Sequence, residues 1–186
     1  MEDELMEEKR LKASQASALI TQNSVKLAPG TKVLDLACGS GRNGLWFEQQ
    51  GCHVTYMDRN LDGLLEQKQS NAGTQFELVA IDLEDGNSNK LPTATFDIVL
   101  VFNYLHRPIL DDIANSLKPG GTLYYETFIS QQAEVGRPKN PNFLLNPLEL
   151  QNRFAQWHAF HYFEGNVGTQ LIPCYKAQLI TKKPTI

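Results

Sequence analysis

The sequence predicts an α/β protein, with a parallel sheet of five strands, helices on both faces and an antiparallel hairpin at the C-terminal end. Three observations carry this expectation. Short apolar segments alternate with helix-like stretches, an order that right-handed crossovers turn into a parallel sheet. The first of these segments, Val33-Leu34-Asp35-Leu36, runs into a glycine turn, Gly39-Ser40-Gly41-Arg42-Asn43-Gly44, that opens a helix. The last two apolar segments are separated by the short link Gly165-Asn166-Val167-Gly168, which favours an antiparallel pair.

Each element has its own signal. Residues 3–22 place acids first, then Lys9, Arg10 and Lys12, then an Ala-rich stretch with Leu19 and Ile20, which complements a helix dipole. This helix makes 1–28 an N-terminal cap. A helix runs from Arg42 to Gln50 and closes at Gly51. His53 to Asp58 is the second strand, and Asn60 caps a helix reaching about Asn71. Phe76 to Ile81 and Phe96 to Phe102 are the third and fourth strands, and Asp111 to Leu117 is helical. Pro119-Gly120-Gly121 breaks the chain before a fifth strand, Thr122 to Thr127. Residues 129–146, with Gly136-Arg137-Pro138-Lys139-Asn140-Pro141, form a long loop of the kind that serves as a lid. Asn146-Pro147-Leu148-Glu149 reads as a capping box with Leu145 and Leu150 as its staple, starting a helix at Pro147 that ends near Trp157. The hairpin strands are His158 to Glu164 and Gln170 to Thr181.

Bulk properties narrow the function. A chain of 186 residues fits one domain, 1–186, and buries roughly 70% of its unfolded surface. Lys and Arg number 17 against 21 Asp and Glu, for a net charge of -4, with no basic cluster to track phosphates, so nucleic acid is not the expected partner. The three cysteines lack any C-x-x-C pair, which points to a reducing cytoplasm rather than a disulfide framework. No signal peptide or membrane span is expected, since the longest strongly apolar run is Ile98 to Phe102. His158 and His161 lie three apart on a strand and so face opposite sides, and no metal is expected.

In an open parallel sheet, ligands bind beyond the carboxyl ends of the strands. Asp35 with Gly39, then Asp58, Asp82, Asn103-Tyr104 and Glu126 stand at those ends in turn. Gly39 and Gly41 let a ligand approach the backbone, and the N–H groups at the helix start favour acceptor atoms. Asp58 can accept from both hydroxyls of a ribose. Alone, the glycine spacing with Asp58 also fits a nicotinamide dinucleotide site, which leaves an NAD-dependent oxidoreductase as an alternative. Asp35 argues against it, because a carboxylate inside the first strand suits a ligand that carries an ammonium group.

The segment Val33 to Gly44 resembles the first motif of the class I S-adenosylmethionine (SAM) dependent methyltransferases. The longer string CGSGRNGLWFEQQGCHVTYMDRN resembles the tellurite-resistance methyltransferase subgroup, as does the pattern from Glu149 to Glu164. The resemblance implies a Rossmann-like class I methyltransferase fold. It implies that Asp35 lies near the methionyl group, that Asp82 accepts from the adenine amino group while the Leu83 N–H meets a ring nitrogen, and that the Phe102-Asn103 backbone meets the ammonium. Ala37, Gly39, Gly41, Arg42, Asn43 and Arg59 complete the implied cofactor set. Arg42 either pairs with the cofactor carboxylate or lies on the surface. Cys38 is explained by its small size. On the acceptor side, His106 and Glu126 are candidate bases and Arg107 or Arg137 a candidate anion clamp; the alternative is that His106 and Arg107 brace the loop. The segments Leu105-His106-Arg107-Pro108 and Asn140 to Leu145 depart from the subgroup. The expected function is methyl transfer from SAM to a small molecule, a thiol or chalcogen species; the alternative is a SAM-binding module without turnover.

Overall fold

A computed structural model describes residues 15–23, 25–68, 76–87 and 91–185. The chain falls into two compact units, Met1–Ile81 and Asp82–Ile186.

The first unit holds three parallel strands in the order β3-β2-β1: β1 (Lys32–Leu36), β2 (His53–Asp58) and β3 (Phe76–Ala80). Val33 to Leu36 are all buried, as expected of a strand covered on both faces. Helix α1 (Ala18–Thr21) is capped by Ser17, whose Oγ accepts from the Leu19 N–H at 3.2 Å, and it buries Leu19 and Ile20. The rest of the expected N-terminal helix, up to residue 14, lies outside the described residues. Helix α2 (Arg42–Gln49) starts where Gly41 takes a left-handed conformation and ends before Gly51, which is also left-handed. Helix α3 (Asp62–Lys68) is preceded by Asn60, whose Oδ1 accepts from the Asp62 N–H at 2.8 Å. Leu34, Leu36, Phe47, Tyr56 and Leu64 form the core of this unit.

The second unit has four strands in the order β4-β5-β7-β6, with β4 and β5 parallel and the other two pairs antiparallel: β4 (Phe96–Phe102), β5 (Leu117–Phe128), β6 (His158–Asn166) and β7 (Tyr175–Lys182). Between β4 and β5 lies α4 (Leu110–Ser116), and after β5 come α5 (Gln132–Val135) and α6 (Glu149–Arg153). Leu100, Ile113, Leu117, Leu123, Tyr124 and Tyr125 are fully buried here. Each such side chain contributes about 1.5–3 kcal/mol of burial.

Three elements differ from the sequence expectation. β5 begins at Leu117 because Pro119-Gly120-Gly121 does not stop the strand. Phe96 pairs with Leu117 and Ile98 with Thr122, so Lys118 to Gly121 bulge out opposite Asp97. Helix α6 starts at Glu149 rather than Pro147, because Leu148 is left-handed and its N–H donates to Glu164 Oε1 at 2.9 Å. The hairpin link spans 167–174, where Asn166 Oδ1 accepts from Gly168 N and Cys174 N, and Pro173 supplies no N–H for a ladder. β6 is the outer strand of this unit, and its pairing with β7 slips between Ala159 and His161.

The 129–146 segment is tied down rather than loose. Ile129 bridges Leu145, Leu145 N donates to Phe128 O at 2.9 Å, and buried Gln132 donates to Arg137 O and accepts from Tyr175 N.

Candidate functional site

In the first unit the turn after β1 assembles around two carboxylates. Asp35 Oδ2 accepts the Gly44 N–H at 2.8 Å from the first turn of α2, and Asp58 Oδ2 accepts the Gly39 N–H at 2.8 Å. Asp58 Oδ1 takes the Asn60 N–H at 3.0 Å. Ala37, Gly39 and Gly41 all have positive φ, at 51°, 54° and 72°, so the turn is wound by left-handed residues at alternate positions. A Cβ at Gly39 would meet nothing within 4 Å, leaving open space over the turn. Gly44 is different: a Cβ there would sit 2.4 Å from Tyr56 Cε1 and 2.9 Å from Asp35 Oδ2, so only glycine lets α2 approach β1 and β2 this closely.

The electrostatics are those of a charge held out of water. Asp35 is 2% exposed, and burial pushes its carboxyl up to about 7, against the Gly44 N–H and Arg42, which favour the charged form, and with Asp58, which disfavours it. Among the described residues its Oδ1 has no hydrogen-bond donor. Burial, with the charges of Asp35 and Asp58, pushes the Cys38 thiol far above its ordinary range, which removes it as a nucleophile.

The other residues of the expected cofactor set are placed as follows. Arg42 Nη1 donates to Gln15 O at 3.0 Å, toward the N-terminal segment. Asn43 is buried, and its Oδ1 accepts the Ser17 N–H at 2.9 Å, so it anchors the cap of α1. Arg59 is exposed. In the second unit Asp82 is exposed and accepts the Glu84 N–H at 2.9 Å, with Leu83 buried beside it. Phe102 is buried at the end of β4, and Asn103 turns left-handed there, donating its N–H to Glu126 O at 2.8 Å.

Two of the acceptor-side candidates are committed elsewhere. Arg107 grips Glu149 with both arms of its fork, Nε to Oε1 at 2.6 Å and Nη2 to Oε2 at 2.8 Å, and also donates to the carbonyls of Asn142 and Leu144. The Glu149 pairing holds the Arg107 guanidinium above its ordinary range and the Glu149 carboxyl below its own. Here the brace, the alternative left open by the sequence, describes the geometry. Glu126 is 4% exposed; Oε1 accepts from Lys176 Nζ at 2.9 Å and Oε2 from Gln178 Nε2 at 2.7 Å. Lys176 also lies 5.1 Å from the centroid of the Phe128 ring. That geometry serves strand pairing better than proton transfer. His106 is half-buried just before Arg107, and Arg137 is exposed. A cavity of ≈ 450 Å³ has an apolar side of Leu105, Leu110, Leu145, Pro147 and Leu150 and a polar side of Asn146, Glu149, Asn152 and Arg153. Among the described residues no group of His, Cys, Asp and Glu could hold a metal, and no helix is long and apolar enough to cross a membrane.

The sequence reading missed Tyr56 and Glu48. Tyr56 Oη donates to Glu48 Oε2 at 2.7 Å under the glycine turn. Their only sequence signal was polar atoms at positions whose periodicity turns them inward. The partners of Arg107 and Glu126 lie 42 and 50 residues away and gave no local signal.

The turn leaves open space over Gly39, with the Asp58 carboxylate on the Gly39 N–H and the buried Asp35 carboxyl on the Gly44 N–H. Residues 33–121 match the family model for a methyltransferase domain. The chain is 26% identical over 157 residues to the probable S-adenosyl-L-methionine-dependent methyltransferase TehB of Haemophilus influenzae, covering 78% of this chain and 52% of that protein. It thus spans about half the length of the curated relative it matches. The crystal structure of Haemophilus influenzae TehB superposes with a TM-score of 0.66 at 24% identity, over 83% of this chain and 58% of that one. A Burkholderia thailandensis 1,6-didemethyltoxoflavin-N1-methyltransferase, solved with 1,6-didemethyltoxoflavin and S-adenosylhomocysteine, gives 0.64 at 16% identity, over 96% and 83%. The fold is the Rossmann-like methyltransferase fold, with parallel strands in the first unit and antiparallel C-terminal strands in the second. On motif, fold and family match together, the chain is similar to the class I SAM-dependent methyltransferases.

Proposed function

We propose that this protein is an enzyme that transfers a methyl group from SAM to a small organic acceptor, with 1–186 acting as one methyltransferase domain. The observation that carries the reading is the turn itself: a buried Asp35 carboxylate under a left-handed glycine turn, with Asp58 alongside. SAM supplies a methyl carbon on a positively charged sulfur; the acceptor–carbon bond forms as the carbon–sulfur bond breaks, and the sulfonium charge is lost. Asp35 holds the ammonium, Asp58 orients the ribose, and Asp82 with the Leu83 N–H reads the adenine. Phe102 and Asn103 contribute backbone at the end of β4. These roles are positional, and in-line displacement rewards alignment and water exclusion above acid-base help.

The acceptor side supports a soft, partly apolar nucleophile. Arg107 and Glu126 are engaged in structural pairs, which leaves His106 as the candidate base. An organic thiol needs little base and suits an acceptor side with those two charges engaged. The free thiols of Cys38, Cys52 and Cys174 fit a reducing compartment such as the cytoplasm. The same engagement of Arg107 and Glu126 favours, as a second reading, a SAM-binding module without turnover.

The test is calorimetry with S-adenosylhomocysteine (SAH) and NAD, followed by methylation assays on thiols, phenols, amines and chalcogen oxyanions. SAH binding above NAD with turnover of an organic thiol is the expected result. Tighter NAD binding would remove the methyltransferase reading, and SAH binding without turnover across the panel would leave the binding module. Substituting His106 should lower turnover about 100-fold for an oxygen or nitrogen acceptor, and far less for a preformed thiolate.

A further inference from the structure

We propose that Tyr56, pinned by Glu48, is the positioning residue of the cofactor turn: its ring is the floor that holds Gly41 and Gly44 in place over Asp35. The proposal rests on the cofactor reading above and concerns two residues outside the expected cofactor set.

The ring lies close beneath both glycines. A Cβ on Gly44 would lie 2.4 Å from Tyr56 Cε1 and 3.0 Å from Cζ, and one on Gly41 would lie 3.1 Å from Cε1 and 2.6 Å from Leu64 Cδ1, so the ring edge backs Gly44 and, with Leu64, Gly41. The hydroxyl at the far end of that ring donates to Glu48 Oε2 at 2.7 Å, with Tyr56 wholly buried and Glu48 7% exposed. Glu48 lies on α2 itself, so β2 and α2 are joined by a polar bond directly beneath the turn that opens α2. Aromatic packing alone would let the ring slide; the buried hydrogen bond fixes where it stops. With the ring fixed, the Gly44 N–H stays on Asp35 Oδ2, and Oδ1 is left for the ligand ammonium.

The ring also keeps water from Asp35. The charged and titratable groups around that carboxylate are Arg42, Asp58, Cys38 and Tyr56, with Glu48 bonded to Tyr56. Burial is the largest influence raising the Asp35 carboxyl, so a smaller side chain at 56 should let water in and lower it.

The experiment compares wild type with Tyr56→Leu, Tyr56→Phe, Glu48→Gln and Glu48→Leu by SAH calorimetry from pH 5.5 to 8.5, melting temperature, and carbon-13 NMR titration of Asp35 in the empty protein. Tyr56→Leu should weaken SAH about 10- to 100-fold and move the Asp35 midpoint down by about one pH unit. Tyr56→Phe keeps the ring and should keep the midpoint while weakening SAH less than about tenfold. Glu48→Gln, which still accepts from the hydroxyl, should bind SAH within about twofold of wild type, and Glu48→Leu about 3- to 10-fold more weakly. If Tyr56→Leu lowers the melting temperature but leaves SAH affinity and the Asp35 midpoint unchanged, Tyr56 is an ordinary core residue and the proposal is overturned. If Tyr56→Leu does not fold, wild-type affinity in Glu48→Leu overturns it equally. Should wild type bind no SAH, the cofactor reading fails, while an unshifted Asp35 titration in Tyr56→Leu would separately sink the floor.

Discussion

The two units treat their buried charges in opposite ways. In the first, Asp35 is buried with one oxygen bonded and the other without a donor among the described residues, and the backbone beside it is wound through three positive-φ residues. In the second, Glu126 meets Lys176 and Gln178, and Arg107 meets Glu149 and two carbonyls. A site made to receive a ligand keeps a valence open and bears the cost of burial. A scaffold closes every valence it can. The contrast supports the proposed ligand binding at the glycine turn and a bracing role for Arg107 and Glu126, and substitutions in the two regions should separate affinity from stability.

The largest effect is expected at Gly44. Gly44→Ala drives a methyl into Tyr56 and Asp35 and should abolish measurable SAH binding in calorimetry, with an overpacking loss of about 1–3 kcal/mol in denaturant titration. Gly121→Ala in the second unit, with its added Cβ 2.8 Å from Leu117 Cδ2, should lose similar stability and leave SAH affinity intact. Equal loss of affinity in both would dissolve the comparison.

Asp58→Ala should weaken SAH about 10- to 100-fold, since hydrogen bonds to a charged group contribute about 1.5–3 kcal/mol each. Asp58→Asn should recover part of that. Wild-type affinity in Asp58→Ala would remove the ribose assignment.

Asp35 gives the pH signature. Its carboxyl moves from 3.8 to about 7 on folding, so the empty protein gains stability from holding that proton. The gain is complete below the unfolded value and is lost as pH rises through about 7. SAH binding needs the charged form and should run the other way, tightening by up to about tenfold per unit below the midpoint and levelling above it. Asp35→Asn should flatten both curves. A pH-independent SAH affinity in the wild type would refute the ammonium pairing.

The smallest effect is expected at the brace. Arg107 is partly exposed, so solvent screening limits its pair with Glu149 to about 1 kcal/mol. Arg107→Ala should lower the melting point slightly, raise hydrogen exchange across 129–146, and spare SAH affinity. Loss of SAH binding would move Arg107 into the cofactor shell.

Strand positions in the first unit were legible in the sequence because both signals there are local: an apolar run is followed by glycines whose spacing dictates the turn. β2 begins and ends where the periodicity places it, as does β4 in the second unit. The C-terminal part was less legible because side chains far apart in sequence decide it. Glu164 draws on the Leu148 N–H and delays α6, Asn166 ties Cys174 into a longer hairpin link, and Glu149 captures Arg107 across 42 residues. Pro119-Gly120-Gly121 misled for a related reason: a breaker motif has the same composition as a bulge, and only the partner strand decides between them. The Asp35 turn was visible as a motif, whereas the Tyr56 floor beneath it depends on a contact between a strand and a helix.

The slip in β6 bears on how the protein behaves when many copies meet. An outer strand with a straight, unpaired edge is a template for a neighbouring chain and a seed for precipitation. Here the strand is kinked where Phe160, 59% exposed, leans edge-on against His158 instead of extending the ladder. The kink interrupts the row of free backbone groups, at the expense of one aromatic ring left in solvent. Solubility during expression and refolding should therefore depend on residues 158–161 more than on any comparable stretch of surface, and a variant that straightens the strand should aggregate sooner at equal thermal stability.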